Sequence, residues 1–476
     1  MTHGIHGEKR WYALIVLCLG VLMIVLDSTI VNVALPSIST DLHFTETALV
    51  WVVNAYLLTF GGCLLLGGRL GDLYGQRRMF LAGLVVFTLA SLACGLAQSQ
   101  AMLIAARAVQ GLGGAVVSAV SLSLIMNLFT EPGERARAMG VYGFVCAGGG
   151  SIGVLLGGLL TSSLSWHWIF LVNLPIGVAV YAMCVALLPR VRAPAGAARL
   201  DVTGAITVTA SLMLAVYGIV GGNEAGSQTI ALIGAAVVLL GLFIAIESRA
   251  AHPLMPLTLF AARNVALANA IAVLWAAAMF AWFFLSALYM QRVLGYGPLQ
   301  VGLAFLPANL IMAAFSLGLS ARIVMRFGIR GPIAAGLLLA ACGLALFSRA
   351  PVDGGFVWHV LPGMTLLGIG AGVAFNPVLL AAMNDVDPAD SGLASGIVNT
   401  SFMMGGALGL AILASLAGAR TDALAAAQAT PLDALNGGYH AAFAFGAAFA
   451  AVAALTGLAL RIRPPRAIEG TGPAMH

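Results

Sequence analysis

Long apolar runs alternate with short polar interruptions from one end of the chain to the other. A helix needs about 20 apolar residues to cross the hydrocarbon core of a bilayer. That rule predicts fourteen spans, over 11–36, 48–69, 79–98, 101–128, 138–162, 168–189, 203–221, 228–247, 265–290, 299–321, 331–348, 357–381, 394–417 and 438–460. In lipid a spanning segment must satisfy its own backbone polar groups, so such runs are expected to be helices. The expected fold class is an all-α polytopic membrane protein.

Composition agrees. Of 476 residues, 61% are hydrophobic and 8% charged, against roughly 25% charged in soluble domains, and the mean hydropathy is +1.02. The first run is too long for a signal-peptide core and lacks a small-residue cleavage site, so it counts as a span. The net charge of +5 comes from basic residues in short loops, with no patch interleaved with aromatics. It therefore points away from nucleic acid and reports topology.

With the N-terminus inside, Lys9, Arg10, Arg69, Arg77, Arg78, Arg135, Arg137, Arg190, Arg192, Arg199, Arg249, Arg263, Arg322, Arg326, Arg330, Arg461, Arg463 and Arg466 are cytoplasmic. Arg292, Arg349 and Arg420 fall outside, and Arg107 lies within a span. The bias predicts both termini in the cytoplasm.

An internal repeat divides the chain. Arg69, Gly75 and Arg77 recur, shifted by 253, as Arg322, Gly328 and Arg330. Shifted by 256, Pro132-Gly133-Glu134 answers to Pro388-Ala389-Asp390, and Gly149, Gly150 and Gly153 to Gly405, Gly406 and Gly409. Spans 1–6 and 9–14 are thus expected to form two related six-helix bundles, with spans 7 and 8 inserted. The expected domains are 1–189, an insert with its linker over 190–250, 251–462, and a cytoplasmic tail over 463–476.

Two charged residues lie deep within the spans. Counting about 1.5 Å per residue, Asp27 and Arg107 both fall in the outer half of the membrane at similar depth, where they could share one polar layer. A charge at that depth costs about 2.5–3.5 kcal/mol on insertion scales and marks function or pairing. Gln110 is a plausible polar partner, and Asn32, five residues beyond Asp27 on the same span, is a further candidate. The six cysteines show no CxxC or Cys/His spacing, so no metal or disulfide framework is expected. Gly368-Ile369-Gly370-Ala371-Gly372 sits within a span with no preceding strand, so it is not a nucleotide loop. No Walker motif or catalytic set is present, so neither a cofactor nor an enzyme is expected.

Several strings in order carry a resemblance. They are Leu26–Pro36, Trp51-Val52-Val53-Asn54-Ala55-Tyr56, Gly68–Arg78, Arg107-Ala108-Val109-Gln110-Gly111-Leu112-Gly113, Trp166–Gly177, Leu200-Asp201-Val202-Thr203-Gly204 and Pro253-Leu254-Met255-Pro256-Leu257. On these the chain resembles the major facilitator superfamily, and within it the fourteen-spanner drug:proton antiporters of multidrug efflux type. Two departures stand out: Val154 occupies a position where that family's fifth helix usually has proline, and His167 one where arginine is common.

The resemblance implies proton-coupled efflux of hydrophobic small molecules, cations among them, across a bacterial cytoplasmic membrane by alternating access. The partners are then substrate, protons and lipid, and no accessory efflux component is specified. Two alternatives stay open: an exporter of an endogenous metabolite or lipid, and a non-transporting membrane sensor. Burial favours a neutral carboxyl group and a nearby arginine favours a charged one, so Asp27 with Arg107 suits proton coupling or substrate binding. One deep carboxylate does not favour dications. Arg69, Asp72, Gly75, Arg77 and Arg78 would form a cytoplasmic gate latch. Gly149, Gly153, Gly157 and Gly158 would let the bundles approach and slide. Candidate cavity-lining residues are Asn54, Tyr56, Trp275, Trp282, Asn309, Asn376 and Asn399.

Overall fold

Helices begin where the polar interruptions supply caps. Thr45 accepts the amide N–H of Ala48 at 3.2 Å, Ser99 that of Met102 at 3.3 Å, Asp201 that of Gly204 at 2.8 Å, and Thr430 that of Asp433 at 3.1 Å. Each satisfies a first-turn donor that the helix itself cannot. The structure is a computed structural model, and it describes residues 7–129, 131–188, 201–221, 226–250, 253–384, 386 and 391–461. Arg190, Arg192, Arg199, Arg463, Arg466, Pro388–Asp390 and the 463–476 tail lie outside the described residues.

Sixteen α-helices follow in order: α1 Gly7–Leu42, α2 Glu46–Tyr74, α3 Gln76–Gly95, α4 Gln100–Leu128, α5 Pro132–Ser163, α6 Trp168–Leu171, α7 Asn173–Leu187, α8 Val202–Val220, α9 Gly226–Arg249, α10 Arg263–Leu288, α11 Pro298–Ala314, α12 Ser320–Phe327, α13 Arg330–Phe347, α14 Leu361–Met383, α15 Ser391–Ala426 and α16 Pro431–Leu458. No strand occurs among the described residues. Thirteen helical stretches there are long and apolar enough to cross a membrane.

The tenth expected span, 299–321, is present but broken. α11 passes into a five-residue π turn, Phe315–Leu319, where Gly318 adopts φ 123°, and α12 resumes beyond it. An unbroken apolar run gave no sign of this. Two prolines, by contrast, lie within continuous helices. α1 continues through Pro36 to Leu42, beyond the expected end of the span at 36, and α14 runs unbroken through Pro377.

Within the first half, α4 packs between α2 and α3, while α1 pairs with α5 and α7. In the second half, α13 packs on α14 and α16, and α10 on α15 and α16. The inserted α8 and α9 pack on each other, with α8 leaning on α2 and α15. Two seams join the halves, α5 against α11 and α2 against α15. Glycine permits the closest approaches. A Cβ on Gly158 would lie 2.7 Å from the carbonyl oxygen of Pro298, and one on Gly302 would lie 2.9 Å from that of Val154.

Only Gly158 of the four predicted glycines meets the opposite half. Gly149 faces Val25 and Leu22, Gly153 faces Thr29 and Leu26, and Gly157 faces Ile30, all on α1. These three line a seam inside the first half. Their spacing of four keeps them on one stripe of α5, and Gly158 lies about 100° round the helix from Gly157.

Candidate functional site

Five polar groups from four other helices, the side chains of Arg107, Gln110, Ser91 and Asn173 and the carbonyl of Val52, gather around Asp27, which is completely buried on α1. Arg107 on α4 donates through an Nη to Asp27 Oδ2 at 2.5 Å and, from the same nitrogen, to Gln110 Oε1 at 2.7 Å. Its Nε donates to the carbonyl of Val52 on α2 at 2.9 Å. Gln110 Nε2 donates to Asp27 Oδ1 at 2.7 Å and to Ser91 Oγ on α3 at 2.8 Å. Asn173, the first residue of α7, donates to Asp27 Oδ1 at 2.9 Å. The guanidinium of Arg107 lies 4.4 Å from the ring centre of Tyr56 and 5.6 Å from that of Phe170.

Every partner has a reason to be there. A carboxylate removed from water needs a counter-charge and donors for its remaining lone pairs. Arg107 supplies the charge, and Gln110 and Asn173 supply the donors. Gln110 sits three residues after Arg107, so both side chains leave one face of α4. Removing either member of such a buried pair leaves an uncompensated charge, at a cost of about 3–5 kcal/mol.

Asn32 stays apart. Five residues beyond Asp27, it points to another face of α1 and donates to the carbonyl of Thr29 at 3.3 Å. Asn173 and Ser91 were not singled out from the sequence. Asn173 had a readable signal, as the amide in the otherwise apolar string Trp168–Gly177. Ser91 had none beyond being a serine in a span.

Asn54 within α2 bridges the halves, donating to the carbonyl of Ala407 on α15 at 2.8 Å. Four more bonds cross between the halves, all at the end opposite the basic loops. Arg292, just beyond α10, pairs with Glu46 and donates to Ser39 at 2.9 Å. Gln291 donates to the carbonyl of Val33 at 3.0 Å, and the Tyr439 hydroxyl to Glu46 at 3.5 Å. Among the described residues, no hydrogen bond or ion pair joins the two halves at the basic end. Arg69, Asp72 and Arg78 are exposed there without an ion pair, and Arg77 donates to Val185 of its own half at 2.9 Å. The outer end is therefore fastened, while the residues of the expected latch make no contact of this kind across the halves.

Trp275 and Trp282 are fully buried on α10, and neither indole N–H has a partner. Asn309 on α11 is buried with its amide nitrogen unpartnered. Asn376 is half-buried, and Asn399 donates to Ser395 on its own helix at 3.1 Å.

Residues 17–410 match the family model described as Major Facilitator Superfamily. The chain is similar to the Puromycin resistance protein pur8 of Streptomyces alboniger, 38% identical over 98% of this chain and 94% of that one. It is similar also to the Cephamycin export protein CmcT of Amycolatopsis lactamdurans, 41% identical over 86% of this chain and 85% of that one. Among solved structures, an auto-inhibited POT family peptide transporter superposes with a TM-score of 0.69 over 96% of this chain and 98% of the other, at 16% identity, a likeness of fold alone.

Proposed function

The chain belongs to the Major Facilitator Superfamily, and from that premise we propose that it exports hydrophobic small molecules across a bacterial cytoplasmic membrane in exchange for protons. It is a multi-pass membrane protein and a transporter rather than an enzyme. The proposed moving parts are the bundles 1–189 and 251–462, joined by the insert at 190–250 and rocking about the α5–α11 and α2–α15 seams.

One observation carries the coupling: Asp27 is the only acidic residue buried in either half among the described residues, and it is held by Arg107. In the outer-fastened arrangement the carboxyl group is paired with Arg107, and in the proposed cycle its proton leaves toward the cytoplasm. Once the outer end opens, a proton on Asp27 weakens the hold on Arg107 and on the donors from α4 and α7. Rearrangement of that cluster is how protonation would be felt by four helices at once. Arg107 has the Val52 carbonyl and Gln110 as partners besides Asp27, so loss of the carboxylate charge does not leave it bare.

The test uses proteoliposomes with an imposed pH gradient. Wild type accumulates substrate uphill and moves protons in response to it, whereas Asp27→Asn equilibrates substrate without uphill accumulation. Uphill export by Asp27→Asn at the wild-type rate would overturn proton coupling through Asp27. A second reading, export of a compound made by the same cell, draws on the relative named for cephamycin export. Profiling the growth medium with and without the protein distinguishes it: an excreted native compound without any drug resistance favours this reading.

A further inference from the structure

Tryptophan is a donor-only residue: its indole carries one N–H and no acceptor. Trp275 and Trp282 are seven residues apart on α10 and so share one face, about 10 Å apart along the axis. Both are covered, at 1% and 0% exposure, and both N–H groups lack an acceptor. A buried donor without a partner is costly, and most so at membrane depth, where water is scarce. Around Trp282 the surface is aromatic, with ring centres of Phe283 at 4.4 Å and Phe305 of α11 at 6.2 Å. Phe283 and Phe305 stack at 5.3 Å. One turn beyond Phe305, the Asn309 amide nitrogen is a third buried, unpartnered donor.

In the opposite half the one deep anion and the aromatic face beside it are already occupied. Both oxygens of Asp27 are taken, Oδ1 by Gln110 and Asn173 and Oδ2 by Arg107. The face of Tyr56, which could hold a cation through its π cloud, is occupied by Arg107. Glu247, the other buried acid among the described residues, lies on the inserted α9 and accepts the Met255 amide.

We propose that the α10–α11 face binds an uncharged substrate by its oxygen acceptors. The indoles of Trp275 and Trp282 donate to carbonyl, ether or hydroxyl oxygens, and Phe283 and Phe305 pack against the apolar body. Both indoles are shut off in the outer-fastened arrangement and are uncovered as neighbouring side chains part to admit the ligand. This rests on the export reading above and replaces a cation with a neutral, acceptor-bearing molecule.

Trp275→Phe and Trp282→Phe keep the ring and delete the N–H. Wild type and both variants are expressed in a pump-deficient host and challenged with two sets of compounds. The uncharged set is chloramphenicol, an anthracycline aglycone and a steroid diketone; the permanent cations are ethidium and tetraphenylphosphonium. Membrane levels and melting temperature in detergent are checked to be those of wild type. Wild type protects against members of the uncharged set, and each variant loses about fivefold to tenfold of that protection, the worth of one hydrogen bond. Protection against the cations alone overturns the proposal and leaves export standing. Variants equal to wild type on the uncharged set also overturn it, the indoles then holding buried water or nothing. Protection against neither set overturns the proposal and removes drug export, leaving only export of a native compound.

Discussion

Arg292, just beyond the end of α10, pairs with Glu46 in the first turn of α2, and so ties the outer ends of the two halves together. Arg292 also reaches Ser39, and Tyr439 reaches the same carboxylate, so one acid gathers three helices. The pair is partly exposed, with side-chain exposures of 23% and 36%, so its strength is discounted to about 1 kcal/mol. Glu46→Gln is therefore expected to shift the population toward an outer-open form by roughly fivefold. In a background without native cysteines, Val33→Cys is covered when the outer end is fastened. A membrane-impermeant maleimide should label it about fivefold faster when Glu46→Gln is added, and an unchanged rate would remove the outer pair from the gate.

The Asp27–Arg107 pair predicts strong non-additivity. Arg107→Gln leaves Asp27 buried with only neutral donors, and should cost about 3–5 kcal/mol. Asp27→Asn leaves a buried cation, which still has the Val52 carbonyl, Gln110 and the Tyr56 face, and should cost less. The double variant removes both charges and should recover most of the stability lost by Arg107→Gln while remaining uncoupled. Thermal unfolding in detergent reads the first effect and proteoliposome transport the second. Additive losses in the melting series would mean that the two charges do not stabilise one another.

The glycines of α5 separate packing from gating. A Cβ on Gly153 would meet Leu26 and Thr29 of α1, a contact inside one half. Gly153→Ala should lower stability by about 1–3 kcal/mol, the usual cost of overpacking. A Cβ on Gly158 would instead press on Pro298 and Leu299 of α11, across the seam that an outer-open form must part. Gly158→Ala should leave melting nearly unchanged and speed labelling of Val33→Cys as Glu46→Gln does. The reverse pattern would put the sliding surface at Gly153.

Much of this was legible in the sequence because a bilayer enforces simple rules. Span length and loop charge predict the fourteen segments, and cost at depth picks out Asp27 and Arg107 before any contact is known. Helix faces are a different matter. Fourteen helices can be rotated against each other without altering hydropathy, so Gly149, Gly153 and Gly157 were assigned to the wrong seam. The same freedom hid Asn173 and Ser91 from the Asp27 cluster. Proline is no guide to the breaks either: Pro36 and Pro377 lie within helices, whereas the real break carries no proline at all.

That break supplies the last expected outcome. Gly318 sits at φ 123° in the π turn between α11 and α12, a conformation that an L side chain adopts only with strain. Gly318→Ala should therefore destabilise the broken form by about 1–3 kcal/mol, the range for a residue forced into a sparse backbone region. Gly140 is the matched control: it is helical within α5, and a Cβ there meets nothing within 4 Å. Gly140→Ala should be neutral or stabilising by about 0.5–1 kcal/mol, because alanine loses less backbone entropy in a helix. The two substitutions are chemically identical and should move the melting temperature in opposite directions. If Gly318→Ala instead raises it, α11 and α12 prefer to join as one straight helix, and spin labels at Leu303 and Arg322 would then report a longer separation than in wild type.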